Sequence, residues 1–154
     1  MRESAIVCNP QDQQALLKIK SHFQNPPSFS NWIPITDCCQ WRNVQCNNDL
    51  RPDRVNFLFL DGLNDISGTV PDAVGDLAYL NVLQFSKLPI LIGPIPDSVT
   101  KLSNLQVLVI KENKNVSGRI PEFLSKVKSV LQLDLSSNAF SGSIPSSLSM
   151  LPNV

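Results

Sequence analysis

Apolar positions in the second half of this chain recur with a step of 24 or 25 residues. One such set is Leu80, Leu105, Val130 and Val154. A Gly-x-[Ile/Val]-Pro signature keeps the same step, with its glycines at Gly68, Gly93, Gly118 and Gly142. A fixed period of this length indicates a solenoid, in which each unit is too small to bury its own core and packs on the next.

Within each unit, an alternating apolar pair predicts a short strand whose two apolar side chains point into the core. These pairs are Leu58 and Leu60, Leu83 and Phe85, Leu108 and Ile110, Leu133 and Leu135. The glycine and proline of the signature predict a bend after the strand, because glycine permits a tight turn and proline fixes φ. A helical turn is expected next, at Asp72–Leu77, Asp97–Leu102, Glu122–Val127 and Ser146–Leu151. We expect repeats at 55–79, 80–104, 105–129 and 130–153, with Val154 opening a fifth.

An asparagine follows the strand of the fourth repeat. A buried amide there can bond unpaired backbone groups in the turn and form a ladder from repeat to repeat. Asn138 is the clearest candidate, and Asn64 and Asn113 are expected counterparts. Leu88 stands near this place in the second repeat, so no ladder step is expected from it.

The first third of the chain predicts a cap that covers one apolar end of the stack. A helix is expected over residues 9–23, with Asn9 as its N-cap and Asp12 placed favourably for the helix dipole. Trp32 and Trp41 are expected in the core of the cap. We therefore divide the chain into a leader remnant at 1–7, a cysteine-containing cap at 8–54 and repeats at 55–154.

Charge and hydropathy exclude some classes of partner. The 13 basic and 13 acidic side chains balance, so nothing draws the chain generally to nucleic acid or to an anionic membrane. No apolar run reaches the length needed to span a bilayer. No cofactor motif is present, and none is expected.

All four cysteines lie in the cap. They are Cys8, Cys38, Cys39 and Cys46, and they allow three pairings. The adjacent Cys38 and Cys39 are not expected to bond each other, because that bond would strain the peptide between them. Of the other pairings, Cys8–Cys38 with Cys39–Cys46 is favoured. Metal binding is the alternative, but no CxxC pair exists and the chain has one histidine. Disulfides indicate an oxidising compartment and hence secretion, although no signal-peptide pattern is visible in residues 1–7.

The repeat resembles the plant-specific leucine-rich repeat, LxxLxxLxLxxNxLxGxIPxxLGx. The fourth repeat matches it at Val130, Leu133, Leu135, Asn138, Phe140, Gly142, Ile144, Pro145 and Leu148. The cap segments Cys8–Lys20 and Thr36–Cys46 look like the cap of secreted plant leucine-rich-repeat proteins. Its adjacent cysteines, with the KLPxLxGPIP run at Lys87–Pro96, are most similar to polygalacturonase-inhibiting proteins.

This resemblance implies an α/β, right-handed leucine-rich-repeat solenoid with parallel strands on the concave face and short helical turns on the convex side. It also implies a secreted protein of the plant cell wall, or apoplast, that blocks fungal endopolygalacturonase in plant defence and is not an enzyme. Pectin is a further possible partner. In the family the cap cysteines pair in sequence order.

This chain departs from the family in three ways: Asn43 replaces a glycine of the cap motif, the repeats are far fewer, and no C-terminal cysteine cap follows.

Three rows of strand positions are expected to face outward on the concave side and bind the partner. They are Phe57, Val82, Val107 and Gln132; Phe59, Gln84, Val109 and Asp134; and Asp61, Ser86, Lys111 and Ser136. The first two rows hold an apolar patch, which is either a protein-binding patch or strand-favouring valines beside phenylalanines that the cap covers. Asn115, in an Asn-Val-Ser sequon, is a candidate glycosylation site.

Other chemistry is weakly supported. The carboxylate pairs Asp61/Asp65 and Asp72/Asp76 fall in turns and on the back, where no pocket would raise a pKa for glycosidase chemistry. His22 has no catalytic partner in the pattern. The alternatives to an inhibitor are a receptor-type ectodomain that binds a peptide or carbohydrate, an ice-binding relative, and a truncated product with no partner.

Overall fold

The computed structural model describes residues 7–46 and 50–151. In this part of the chain the elements follow the predicted repeat of strand, bend and convex turn. The main sheet has five strands in the order β1-β2-β4-β6-β8. They are β1 (Val44–Gln45), β2 (Phe57–Asp61), β4 (Val82–Ser86), β6 (Val107–Lys111) and β8 (Gln132–Asp134). Strands β2 to β8 pair in parallel, which confirms the solenoid.

The register of the sheet repeats the sequence period. Leu58 pairs with Leu83 and Leu83 with Leu108, so equivalent residues of successive repeats lie side by side. The apolar pairs of the first three strands are buried, with at most 1% of their surface exposed. In the fourth repeat the equivalent Leu133, in β8, and Leu135, just after it, are half-buried and line an open recess of about 440 Å³.

Two short parallel sheets lie after the main strands and were not predicted. One joins β3 (Gly68–Thr69) to β5 (Leu91–Ile92), and the other joins β7 (Ser117–Arg119) to β9 (Ala139–Ser141). Segments of two or three residues show no alternation that a sequence pattern can detect.

Close approach of neighbouring coils explains one of the signature glycines. A Cβ built on Gly93 would lie 2.5 Å from the carbonyl oxygen of Ser117 and 2.6 Å from its nitrogen. No side chain fits at that spacing, so Gly93 lets the next coil's backbone pack directly against it.

The convex side is built from 3-10 turns where helical turns were predicted. They are Asp72–Asp76, Asp97–Lys101, Glu122–Lys126 and Ser146–Met150. Each begins after a proline of the signature, whose extended ψ precedes the turn. Apolar residues of these turns, such as Val74 and Val99, return to the core fully buried.

The asparagine ladder has two steps, which join the second repeat to the third and the third to the fourth. Asn113 is fully buried; its Oδ1 accepts from the Leu88 N–H at 3.0 Å and its Nδ2 donates to the Phe85 carbonyl at 2.9 Å. Asn138 repeats the pattern by accepting from the Asn113 N–H at 3.0 Å.

The prediction that Asn64 belongs to the asparagine ladder is wrong. The 25-residue step from Leu88 leads back to Leu63, so Asn64 lies one position past the ladder. Its side chain is exposed, where water replaces the backbone partners that a buried amide would need.

The cap is built around one helix and a stack of aromatic rings. Helix α1 (Pro10–His22) lies within the predicted 9–23, and the Asn9 side chain caps it by accepting from the Gln11 N–H at 2.9 Å. Phe29 stacks on Trp32 with ring centroids 3.9 Å apart, and Trp32 on Trp41 at 5.6 Å. Both tryptophans are buried, as predicted for the cap core.

Two disulfide bonds fasten the segment after α1. The structure pairs Cys8 with Cys38 and Cys39 with Cys46, with Cα atoms 5.4 and 5.2 Å apart. The first bond ties the start of α1 to the Cys38–Gln40 turn. The second closes the loop that carries β1. These bonds use up the thiolates that the alternative zinc site would require.

The leader remnant, apart from Val7, and Val154 lie outside the described residues.

A buried ion pair locks the cap to the first repeat. Asp12 is fully buried, and its two oxygens accept from Nε and Nη2 of Arg54 at 2.9 and 2.8 Å. The same carboxylate accepts from the Val55 N–H at 2.8 Å. The hydrogen bond to Asp12 is the main cause that raises the pKa of Arg54 above its ordinary value. The pattern of residues predicted only a helix-dipole role for Asp12, and this pairing was not predicted.

Candidate concave binding face

The strand register brings the three outward rows together on one face of the main sheet. Phe57 lies beside Val82, Val82 beside Val107, and Val107 beside Gln132. The second row aligns in the same way from Phe59 to Asp134, and the third aligns from Asp61 through Ser86 to Lys111. Neighbouring parallel strands lie about 4.8 Å apart, so the rows form a continuous ribbon of side chains.

The cap borders the apolar end of this face and leaves it open. Strand β1 pairs antiparallel with β2, with Val44 opposite Leu58 and Gln45 opposite Phe57. Phe59 remains 41% exposed. A recess of about 350 Å³ lies between the cap and the sheet, lined by Asn43, Val44, Gln45, Phe57 and Phe59. The three cap residues of this recess were not predicted from the sequence.

A residue with an unusual backbone forms the cap side of the recess. Asn43, which replaces the family's glycine, has φ 70°. Glycine is favoured in this left-handed region, and asparagine tolerates it better than most other residues. The substitution therefore keeps the turn, and the Asn43 carbonyl accepts from the Phe59 N–H at 3.0 Å.

Two of the twelve predicted contact residues are not available at the surface. Val109 is only 4% exposed, because the register sets the longer Gln84 and Asp134 on either side of this short side chain. Ser86 is fully buried, and its hydroxyl already forms hydrogen bonds with other side chains of the sheet. The expectation that these two side chains are exposed on the concave face is therefore wrong.

The buried hydroxyl instead orients its neighbours. Ser86 Oγ–H donates to Asp61 Oδ1 at 2.6 Å, and Gln84 Nε2 donates to Ser86 Oγ at 3.1 Å. Asp61 is exposed while Gln84 is half-buried. This chain of bonds fixes the rotamers of two surface groups before any partner arrives, which lowers the entropy cost of binding.

A second polar cluster lies further along the face. The Ser136 hydroxyl donates to Asp134 Oδ1 at 2.6 Å, and the Ser136 N–H donates to the same oxygen at 3.0 Å. Lys111 Nζ lies 3.9 Å from Asp134 Oδ2. The hydrogen bonds from Ser136, aided by the Lys111 charge, hold the pKa of Asp134 below its ordinary value.

One of the acids considered for glycosidase chemistry, Asp65, serves as a structural acceptor. Asp65 accepts from the Ser28 N–H at 2.8 Å and from its hydroxyl at 2.6 Å, which joins cap to repeat. His22 joins them too, since its Nε2–H donates to the Thr69 carbonyl at 2.7 Å. These side chains therefore hold cap and array together.

The sequon asparagine lies beyond the concave strands. Asn115 is exposed, between β6 and β7, and its Nδ2 donates to the Pro89 carbonyl at 2.6 Å.

Among the helices at 7–46 and 50–151, none has the length and apolar character that crossing a bilayer demands.

Family models match both parts of this architecture. The leucine rich repeat N-terminal domain matches residues 9–47, and the leucine rich repeat matches residues 129–151. The first match covers most of the cap with three of its four cysteines, and the second covers most of the fourth repeat.

Similar sequences include polygalacturonase inhibitors. The polygalacturonase inhibitor of Vitis vinifera is 47% identical over 81 residues, which are 53% of this chain and 23% of that protein. Polygalacturonase inhibitor 2 of Phaseolus vulgaris is 47% identical over 89 residues, 56% of this chain and 26% of that protein. The matched segment thus spans about a quarter of the length of these relatives.

Similar solved structures cover nearly the whole chain. A plant ice-binding protein is 39% identical with a TM-score of 0.89, over 96% of this chain and 46% of that one. The BIR2 ectodomain from Arabidopsis thaliana is 30% identical with a TM-score of 0.83, over 93% of this chain and 76% of that one. The cap, the strand register and these similar proteins all indicate the same family. The chain belongs to the plant leucine-rich-repeat proteins and resembles the polygalacturonase inhibitors among them.

Proposed function

We propose that this chain is a secreted binding protein of the plant cell wall that inhibits fungal endopolygalacturonase and has no catalytic activity of its own. The observation that carries the proposal is the 47% identity to polygalacturonase inhibitors over more than half of the chain. Inhibition would follow from docking the concave face over the enzyme's cleft. Because the match spans about a quarter of each relative, this activity is a proposal for the chain.

The geometry of the concave face supports docking of another protein. Exposed Phe59 and half-buried Phe57, Val82 and Val107 form its apolar end. An apolar centre beside oriented polar groups is the usual anatomy of a protein interface. Asp65, one of the carboxylates considered for a hydrolase, is bonded to Ser28 of the cap instead.

Two features support secretion. All four cysteines are disulfide-bonded, which suits an oxidising compartment. Asn115 is exposed in its sequon, so an oligosaccharide can be attached without unfolding the repeat.

The test is release of reducing sugars from polygalacturonate by several purified fungal endopolygalacturonases, with and without the chain. We expect slower release by at least one enzyme and weaker inhibition by Phe59→Ala. The matched control is Ile92→Ala, since Ile92 is similarly exposed at 47% but lies on β5 outside the concave face. If folded chain slows none of the enzymes, or if Ile92→Ala weakens inhibition as much as Phe59→Ala, the proposal fails.

A receptor-type ectodomain is the second candidate. The BIR2 ectodomain and the receptor kinase SOBIR1 ectodomain, both from Arabidopsis thaliana, align with 93% and 95% of this chain at 30% and 26% identity. The same concave face would then bind a peptide or carbohydrate. The full-length transcript decides between the two, because a receptor requires a downstream membrane span and kinase.

Ice binding is the third candidate, favoured by the 39% identity and TM-score of 0.89 to a plant ice-binding protein. The three concave rows contain no threonine or asparagine, so a flat array of such residues would have to lie elsewhere on the surface. Thermal hysteresis of the purified chain would establish this activity, and its absence would remove the candidate.

A further inference from the structure

The two disulfides of the cap share one cluster of sulfur atoms. The Sγ atoms of Cys8, Cys38 and Cys39 all lie within 4.8 Å of one another. One bond, Cys8–Cys38, is therefore next to a sulfur of the other bond. Thiol–disulfide exchange requires a thiolate to reach a disulfide sulfur, and here the two are already neighbours.

The two bonds differ in their access to solvent. Cys8 and Cys38 are 5% and 0% exposed, whereas Cys39 and Cys46 are half-buried. Since exchange begins with attack by an external thiolate, a soluble dithiol reaches the Cys39–Cys46 bond first.

We propose that the cap carries a redox-responsive site in which reduction of Cys39–Cys46 allows Cys39 to exchange with the Cys8–Cys38 bond. In the first step a dithiol reduces Cys39–Cys46 to two thiols and is itself oxidised to a cyclic disulfide. In the second step the Cys39 thiolate attacks Cys8 Sγ. The Cys8–Cys38 bond breaks, a Cys8–Cys39 bond forms, and Cys38 leaves as a thiolate that takes up a proton. This second step transfers no net electrons.

Cys8 is the sulfur that Cys39 attacks. Attack on Cys38 would join adjacent residues in a small ring that strains the intervening peptide. Cys8 approaches from the start of α1, far away in sequence, so the new bond to Cys39 closes a long loop similar to the one that it replaces.

Opening the Cys39–Cys46 bond loosens the cap side of the concave face. Strand β1 lies inside the loop that this bond closes and pairs with β2 over two residues. Flanking hydrogen bonds run from the Phe59 N–H to the Asn43 carbonyl at 3.0 Å and from the Asn56 N–H to the Gln45 carbonyl at 2.9 Å. Without the bond, one end of β1 is no longer fixed, so the recess beside Phe59 can widen.

The change stays local because the other end of the loop has its own anchor. Trp41 is buried against Trp32, and its Nε1–H donates to Thr36 Oγ1 at 2.7 Å. This aromatic packing does not depend on either disulfide, so the cap core remains folded when β1 loosens.

The test treats the native, folded chain with increasing dithiothreitol at about pH 8, near the ordinary thiol pKa. Samples are alkylated at intervals and mapped by mass spectrometry. We expect the first product to carry two labels, on Cys39 and Cys46, and a later product to carry them on Cys38 and Cys46 with a Cys8–Cys39 bond. Amide exchange at Phe59 should quicken in these products, while exchange at Leu108 in β6 stays unchanged. Simultaneous reduction of both bonds, first labels on Cys8 and Cys38, or labels that stay on Cys39 would each overturn the proposal.

Two single variants form a matched pair without added reductant. Cys46→Ser leaves Cys39 as the odd thiol inside the sulfur cluster, so we expect label divided between Cys38 and Cys39. Cys39→Ser leaves Cys46 as the odd thiol instead, and we expect label on Cys46 alone, with Cys8–Cys38 intact. Label confined to Cys39 in the first variant would contradict the exchange. Neither experiment depends on inhibition, so failure of the proposed function leaves this test intact.

Discussion

The ion pair between cap and array gives the sharpest prediction for stability. Replacing Asp12 by alanine leaves the Arg54 guanidinium, whose side chain is 10% exposed, without its two charge-assisted bonds. It also removes the acceptor of the Val55 N–H. Breaking a buried pair by removing one partner costs about 3 kcal/mol of unfolding free energy. The Tyr79 ring, 4.5 Å from the guanidinium carbon, offsets a small part of this loss.

The assay is urea unfolding followed by tryptophan fluorescence. Both tryptophans of the chain lie in the cap, so the signal reports the region that the ion pair anchors. With an m-value of about 2 kcal/mol/M, the midpoint should fall by roughly 1.5 M. The control is Asp97→Ala on the convex side, where an exposed carboxylate should change the free energy by less than about 0.5 kcal/mol.

A double-mutant cycle separates the pair from its surroundings. Arg54→Met removes the charge but keeps an apolar stem over Tyr79. The double variant Asp12→Ala/Arg54→Met should be more stable than the sum of the two single changes predicts, by about 1–3 kcal/mol. Strict additivity, or a loss for Asp12→Ala no larger than that for Asp97→Ala, would refute the reasoning.

Three further changes test other parts of the structure. Gly93→Ala should destabilise by at least about 1–3 kcal/mol in the same urea assay, because its Cβ overlaps the Ser117 backbone; a neutral result would show that the coils are further apart. Asn113→Ala should cost about 1–3 kcal/mol by leaving buried backbone groups unbonded, and unchanged hydrogen exchange in the ladder would contradict this. Because the pKa of Asp134 is lowered in the folded state, its contribution to stability is present above the unfolded pKa of about 3.9 and is lost as the pH falls through the lower folded value. Ser136→Ala should raise the pKa of Asp134 in a carboxyl NMR titration, and no rise would assign the shift to another cause.

The sequence predicted the features that repeat and missed those that join distant segments. Alternating pairs such as Leu83 and Phe85 define the strands because one face must be buried in every coil. The link between Asp12 and Arg54 has no such signal, since the partners lie 42 residues apart and neither belongs to a periodic pattern.

Errors at the candidate site have a similar origin. Alternation correctly places Val109 and Ser86 on the concave side of their strands, but facing outward is not the same as being exposed. Exposure depends on the length of side chains in neighbouring strands, as Gln84 beside Val109 shows. A one-residue offset in a turn likewise separates Asn64 from the ladder, and turn residues carry no apolar period to fix their register.

The antiparallel strand β1 also has a bearing on solubility. Strand β2 reads Phe-Leu-Phe-Leu-Asp, an apolar segment of high β-propensity that would be prone to self-association if its backbone groups were left unpaired at a sheet edge. The cap pairs this edge with β1, a strand that runs antiparallel to β2 and ends after two residues. Because β1 is this short, it presents few backbone groups with which another chain could pair, and this limits aggregation at the edge of the sheet.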